Sequence, residues 1–101
     1  MFGIVFDLGV KETEKHHPEG YSQAYTDIAT VLNRHGFIRI QASLYINEVE
    51  DMARLFHAID DLRTLPWLAA SVRDIRAFRI EQWSDFTPII TGKPLYHVSD
   101  M

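Results

Sequence analysis

The 101 residues contain no cysteine. Disulfides and thiolate-bound metals are therefore excluded, and nothing points to an oxidising compartment. No apolar run approaches the ~20 residues that a membrane-spanning helix needs. The N-terminal stretch lacks a basic start, and Asp7 interrupts its apolar run too early for a secretory signal, so a cytoplasmic protein is expected. Basic residues are scarce as well: 10 Lys and Arg stand against 14 Asp and Glu, a formal net charge of −4. That balance argues against a non-specific coat for nucleic acid, which carries a basic surface. A nucleic-acid role needs a local basic patch, and only Arg73, Arg76 and Arg79 offer one. Glycine-rich phosphate loops, zinc-ligand spacings, a Ser-His-Asp arrangement and the aromatic signature of an RNA-recognition sheet are all missing.

What is present suits one compact domain. Hydrophobic residues make up 47% and charged residues 24%, near the globular average. A core of this size is workable but marginal, and burial against a second copy would help it. No repeat, low-complexity tract or linker interrupts the chain, so residues 1–101 read as a single domain, with about 84–101 as a C-terminal extension.

The apolar periodicity changes along the chain in a readable order. Residues 2–8 alternate, with Phe2, Ile4, Phe6 and Leu8 on one face and Gly3, Val5 and Asp7 on the other, as in a strand. Residues 9–20 read as a polar loop holding Gly9, Pro18 and Gly20. Tyr21, Ala24, Tyr25, Ile28, Val31, Leu32 and His35 follow helical spacing, and Gly36 stands where a helix terminus favours positive φ. Residues 37–46 alternate again, with Ile38, Ile40, Ala42, Leu44 and Ile46 against Phe37, Arg39, Gln41, Ser43 and Tyr45. Ala42-Ser43 is open to two readings, one continuous strand or a turn between two short ones.

Asn47 with Glu50 resembles a capping box for a second helix carrying Met52, Leu55, Phe56, Ile59 and Leu62, which Pro66 ends. Residues 72–82 read as a final strand. The tail from Trp83, with Phe86, Ile89, Ile90, Leu95, Tyr96 and Val98, is too apolar to hang free and is expected to dock, with a second copy as one candidate surface. With the split strand, the order gives the βαββαβ plan of an α+β, ferredoxin-like sandwich: an antiparallel sheet with two helices on one face, plus a C-terminal docking extension. Asp7, Arg39, Gln41, Ser43 and Tyr45 are then expected on the open face.

Asp7 is the most informative residue. A carboxylate at the end of a buried strand is costly unless something needs it. One reading is a strand-end acid turning to solvent. The other is a general base, or a ligand that holds Mg²⁺ together with a second copy's carboxylate. Ser43 is either an ordinary turn hydroxyl or a donor to a phosphate beside Asp7. Arg39 and Gln41 either decorate an exposed strand or contact a phosphate, which suits Arg39's forked donors. Arg73, Arg76 and Arg79 have Asp74 and Glu81 as alternative partners. His16 and His17 are adjacent, do not converge on one metal and are expected to be solvated. His35 suits a helix end, and His57 and His97 have no evident partner. Tyr21, Tyr25, Phe37, Phe56 and Phe78 read as core and not as base-stacking platforms.

Several of these segments resemble virulence-associated protein D, the VapD family. They are Phe6-Asp7-Leu8, Ala24-Tyr25-Thr26-Asp27-Ile28, Gln41-Ala42-Ser43-Leu44-Tyr45 and Ser71-Val72-Arg73-Asp74-Ile75-Arg76-Ala77-Phe78-Arg79, followed by Glu81-Gln82-Trp83-Ser84-Asp85-Phe86-Thr87. They occur in matching order over about residues 2–90. The resemblance implies a small bacterial endoribonuclease, commonly the toxin of a toxin-antitoxin pair, with a modified ferredoxin-like fold and a homodimeric assembly. VapD in turn looks like the small CRISPR-associated nuclease family. In that family the first strand ends in a functional Asp and the second-strand region carries an Arg-x-Gln-x-Ser pattern, here Asp7, Arg39, Gln41 and Ser43. The implied site has Asp7 and Ser43 as catalytic residues, Asp7 as a metal ligand if Mg²⁺ is used, and Arg39, Gln41, Tyr45, Arg73, Arg76 and Arg79 as RNA contacts. The implied partners are RNA, a second copy and an antitoxin protein. A non-catalytic dimeric scaffold for nucleic acid or protein is the alternative, and a small-molecule-sensing ferredoxin-like module is a third reading.

Overall fold

The computed structural model describes residues 1–93. Four strands form one antiparallel sheet in the order β2-β3-β1-β4, with β1 (Phe2–Leu8), β2 (Ile38–Gln41), β3 (Leu44–Asn47) and β4 (Val72–Arg79). This is the strand order of the expected ferredoxin-like plan. The helices α2 (Tyr21–Arg34) and α3 (Met52–Leu62) supply its two long connections, joined by the short α1 (Val10–His16), α4 (Leu68–Ser71) and α5 (Thr87–Thr91).

The core forms where the alternation of β1 meets the stripe of α2. Phe2, Ile4, Phe6 and Leu8 are buried against Ala24, Ile28, Val31 and Leu32, with Leu55, Ala58 and Leu62 of α3 completing the layer. The end of α2 follows from its sequence. Gly36 takes φ +84°, its N–H bonds the Asn33 carbonyl at 3.1 Å, and the Phe37 N–H bonds the Leu32 carbonyl at 3.0 Å. That pairing is a Schellman motif, and its apolar contact joins the buried Phe37 to Leu32.

Three expectations about local structure change. The polar segment 9–20 contains α1, a helix whose only buried residue is Thr13. It lacks an apolar stripe, so periodicity does not reveal it. Thr13 bonds back to the Gly9 carbonyl at 2.6 Å within the first turn, and the Gly9 N–H ties that turn to the Ser71 carbonyl at 2.8 Å. The Glu14 carboxylate of α1 then accepts from the Tyr21 N–H at 3.0 Å, serving the start of α2 in place of a local cap. The cap of α3 is Asp51, which accepts from the Ala53 and Arg54 N–H groups, and not the anticipated Asn47–Glu50 box. Asn47 instead turns back to bond the His35 carbonyl and the Val49 N–H.

His17 is buried, contrary to the solvated reading. Its Nε2 lies 2.6 Å from the Asp27 carboxylate, its Nδ1 accepts the Glu19 N–H at 2.9 Å, and its ring packs edge-on to Trp67. An acceptor role for Nδ1 assigns the ring proton to Nε2, which donates to Asp27. His35 does stand at the helix end, with Nε2 2.9 Å from Asp61.

The open face of the sheet carries apolar residues too: Val5, Ile38, Ile40 and Phe78 are all exposed large hydrophobics. Phe78 and Phe56 are exposed, contrary to the core reading; the Phe78 ring lies over Gly3, where a β-carbon would meet its tip at 2.8 Å and make it swing aside. The segment after β4 passes beside this face. Trp83, Ser84, Asp85 and Thr87 line a cleft of about 440 Å³ with Ile40, Gln41 and Leu44. Docking of the tail is therefore partial within one chain, because Phe86, Ile89 and Ile90 stay exposed, Ile90 by 82%. Leu95, Tyr96, His97 and Val98 lie outside the described residues.

Candidate active site

The β2–β3 hairpin settles the reading left open above. Ala42 and Ser43 form a two-residue turn between Gln41 and Leu44. Ala42 sits at φ +39°, a left-handed conformation that costs a non-glycine residue roughly 1–2 kcal/mol. The turn is braced by Arg39, whose Nε donates to the Ala42 carbonyl at 2.7 Å. It is tied to β1 where the Phe6 N–H bonds the Ser43 carbonyl at 3.3 Å. Ser43 is thus held beside Phe6, one residue before Asp7.

Asp7 is exposed while Phe6 and Leu8 on either side are buried. Its Cα partner on β4 is Asp74, after which a bulge shifts the register. The Asp74 carboxylate is occupied by the Arg76 Nε at 3.1 and 3.2 Å. Among the described residues, Asp7 has no such partner. The bulge leaves Arg73 as the extra residue, with its Nε 3.2 Å from the position a β-carbon on Gly9 would take. The guanidinium of Arg73 enters no ion pair among the described residues.

Two tyrosines join this end of the sheet. The phenol oxygens of Tyr21 and Tyr25, one turn apart on α2, are 2.8 Å apart, and Ser43 Oγ stands 3.5 Å from the Tyr25 oxygen. The Tyr21 phenol is pushed up to about 12. Its bond to Tyr25 contributes most, then burial, then the negative fields of Tyr25 and Asp7, with Arg73 opposing. Both tyrosines pack against the core, as expected of them. Their hydroxyls, which no sequence pattern marked, converge on Ser43.

The open-face grouping expected for the other residues does not hold. Tyr45 is 1% exposed and stacks on Phe6 with centroids 6.0 Å apart. It is a core residue with no surface to offer RNA, and burial pushes its phenol pKa up. Its pairing with Ile4 puts it on the helix side, and Arg39, paired with Tyr45, follows it there at the exposed edge. Ser43 likewise reaches α2 and not the open face. Gln41 alone is carried to the open side, by a bulge between Arg39 and Gln41.

The three β4 arginines do not make one patch within a chain. Arg73 stands at the Asp7 end, and Arg79 is six residues away, roughly 20 Å along the strand, where it pairs with Glu50. Arg76 is held by Asp74 between them.

Magnesium keeps much of its water and needs only one or two carboxylates from a protein. Asp7 fits that modest requirement as a single ligand, while the Asp74 carboxylate opposite is engaged by Arg76. Among the described residues no three acidic, His or Cys side chains cluster to make a fuller cage.

The sheet order and helix layering define an α+β protein of the ferredoxin-like class, with Asp7, the Ser43 turn and Arg73 at one end of its sheet. Comparison with known proteins narrows this. No protein-family model matches the chain. It is 60% identical over 90 residues to an endoribonuclease VapD homolog of Neisseria gonorrhoeae, covering 89% of this chain and 98% of that protein. It is 61% identical over 90 residues to the endoribonuclease VapD of Haemophilus influenzae, with the same coverage. It is 39% identical over 92 residues to the endoribonuclease VapD of Helicobacter pylori, covering 89% of this chain and 98% of that protein. The chain belongs to the VapD family of endoribonucleases.

Proposed function

We propose that this chain cleaves RNA phosphodiester bonds at the Asp7 end of its sheet. The observation that carries the reading is an exposed Asp7, without an ion-pair partner among the described residues, beside the Ser43 turn, in a chain with 60% identity to a relative named as an endoribonuclease. Asp7 is the general base or the metal ligand. Ser43 and Arg73 contact the scissile phosphate and offset its developing charge. Arg39, Gln41 and Arg76 lie further along the RNA path, and Arg79 contacts RNA only at the far end of β4.

Two routes fit these groups. In the first, Asp7 takes the proton of the RNA 2′-hydroxyl, whose oxygen attacks phosphorus. The P–O5′ bond breaks and the leaving 5′-oxygen takes up a proton from solvent, giving a cyclic phosphate and a 5′-hydroxyl. In the second, Asp7 would help hold Mg²⁺, which would supply an activated water. The ends of the products separate the two.

The exposed apolar residues of the open face and of α5 support a homodimer formed there, which would bring two Asp7 carboxylates together. The same chain exposes Met52 and Phe56 on α3, which also lends Ile59 and Leu62 to an apolar cleft of about 270 Å³. That surface suits an antitoxin protein and supports a toxin role in a toxin-antitoxin pair. No helix among the described residues is long and apolar enough to cross a membrane, which is compatible with work on RNA in the cytoplasm.

The test is cleavage of labelled RNA by the purified chain, with and without EDTA, alongside Asp7→Ala and Ser43→Ala, with the assembly mass measured in parallel. Cleavage abolished in Asp7→Ala supports the mechanism. Undiminished cleavage removes it, and salt-dependent binding without turnover would favour the scaffold.

A further inference from the structure

We infer that Tyr25 is a positioning residue for Ser43 and that Tyr21 fixes Tyr25, so that three hydroxyls from α2 and the hairpin turn work as one unit. The inference rests on the RNA-cleavage reading for what Ser43 does. It adds two residues to that site for which packing alone gives no reason.

The rings of Tyr21 and Tyr25 need no hydroxyl to do their structural work. They pack edge to face at 5.0 Å and 73°, and the Tyr25 ring lies 5.7 Å from Phe6. Phenylalanine would fill the same space. The hydroxyls instead meet each other at 2.8 Å and reach Ser43 at 3.5 Å. A phenol oxygen carries one proton and two acceptor sites. Tyr25 accepts from Ser43 in the free chain and can also accept from Tyr21, so its own proton is available to turn to Ser43 Oγ when a phosphate takes the serine proton. The bond to Tyr25, then burial and the field of Asp7, raise the Tyr21 pKa, and Tyr21 stays a donor across the physiological range.

Without a partner, a serine hydroxyl on a two-residue turn rotates among three wells. Tyr25 selects the well that turns Ser43 Oγ toward α2. The 3.5 Å separation is the outer limit of hydrogen-bond reach, as catalytic contacts often are before substrate closes on them.

The experiment compares kcat and KM on a labelled RNA for the full chain, Tyr25→Phe, Tyr21→Phe, Ser43→Ala and the double variant Tyr25→Phe/Ser43→Ala. Loss of one positioning hydrogen bond predicts a kcat lower by about tenfold in Tyr25→Phe with KM little changed, and a smaller loss in Tyr21→Phe. The double variant is expected to be no slower than Ser43→Ala alone. Losses that multiply in the double variant, or a Tyr25→Phe chain as fast as the unaltered one, overturn the inference. An unaltered chain that leaves RNA intact overturns the functional reading instead. A spectrophotometric titration needs no RNA: Tyr25→Phe brings the Tyr21 ionisation down toward the ordinary tyrosine range, and an unchanged titration refutes the coupling. If Tyr25→Phe melts early, Tyr21→Phe carries the same kinetic comparison.

Discussion

Asp7 and Asp74 face each other across β1 and β4, and among the described residues only Asp74 has a cation of its own, Arg76. Like charges opposite one another in a sheet are destabilising by up to about 1 kcal/mol. The fold tolerates this pairing at an exposed position where the proposed chemistry needs a free carboxylate. Asp7→Asn should therefore separate stability from activity. Relief of about 0.5 kcal/mol is expected to raise the melting temperature by about 2–4 °C, at roughly 4–8 °C per kcal/mol for a domain of this size. RNA cleavage is expected to fall by at least about a hundredfold. Calorimetry and a cleavage assay on one preparation check both, and a variant that loses stability as well as activity would mark Asp7 as structural.

The hairpin turn carries a second cost of the same kind. Ala42 holds φ +39° under the brace of Arg39. Glycine adopts that backbone freely. Ala42→Gly is expected to stabilise the chain by about 0.5–1 kcal/mol, read as a higher urea midpoint at unchanged slope. If the strain serves to hold Ser43, the same variant cleaves RNA more slowly. A variant that is more stable and equally fast would make the strain incidental.

Much of this arrangement was legible in the sequence. The alternation of β1, the stripe of α2 and the stop at Gly36 each stand where the pattern puts them, and the order of elements yields the observed sheet. The polarity of β2 and β3 was not legible, for a physical reason. Their two faces are both apolar, with Phe37 and Tyr45 filling the core while Ile38 and Ile40 remain exposed. Alternation alone cannot say which set goes in, and the bulge at Arg39/Gln41 then exchanges faces midway. α1 was hidden because its anchors are the Gly9 N–H bond to Ser71 and a glutamate that caps another helix, neither of which leaves a period. The grouping of Ser43 with Tyr25 depends on a turn and a helix 18 positions apart, which no local pattern records.

The Tyr21 phenol contributes to alkaline sensitivity of the fold, as does the buried Tyr45 phenol. Its folded pKa is raised to about 12, while the unfolded value is about 10. Below pH 10 both states keep the proton and the contribution is fully present. Between about 10 and 12 the unfolded chain ionises first, so stability is lost as pH rises. Urea unfolding at stepped alkaline pH should show this decline, and Tyr21→Phe should make it shallower. Equal slopes in the two proteins would contradict the hydroxyl contact.

At the acid end Asp27 is one of the sensitive groups, beside Glu50 and Asp85, whose carboxyls also lie below the usual range. The bond from His17 holds its carboxyl below the usual range, helped by Gln23 and opposed by partial burial. A depressed carboxyl contributes stability that is fully present above its unfolded pKa of about 4 and is lost as pH falls toward the folded value. His17 sits in the same contact and is buried against Trp67, with its other nitrogen committed to the Glu19 N–H. Removing the acid leaves that imidazole N–H without its acceptor in a place water reaches poorly, which costs about 1–3 kcal/mol. Asp27→Asn keeps an acceptor oxygen but loses the charge, so it should cost less than Asp27→Ala and should flatten the acid limb of the stability curve. Because the contact lies between α2 and the segment after α1, away from Asp7, RNA cleavage per folded molecule at neutral pH is expected to change less than twofold. Urea midpoints from pH 3 to 7 for the three proteins measure this directly. An acid limb as steep in Asp27→Asn as in the unaltered chain would mean that other carboxylates govern acid unfolding and that this pair is only a packing contact.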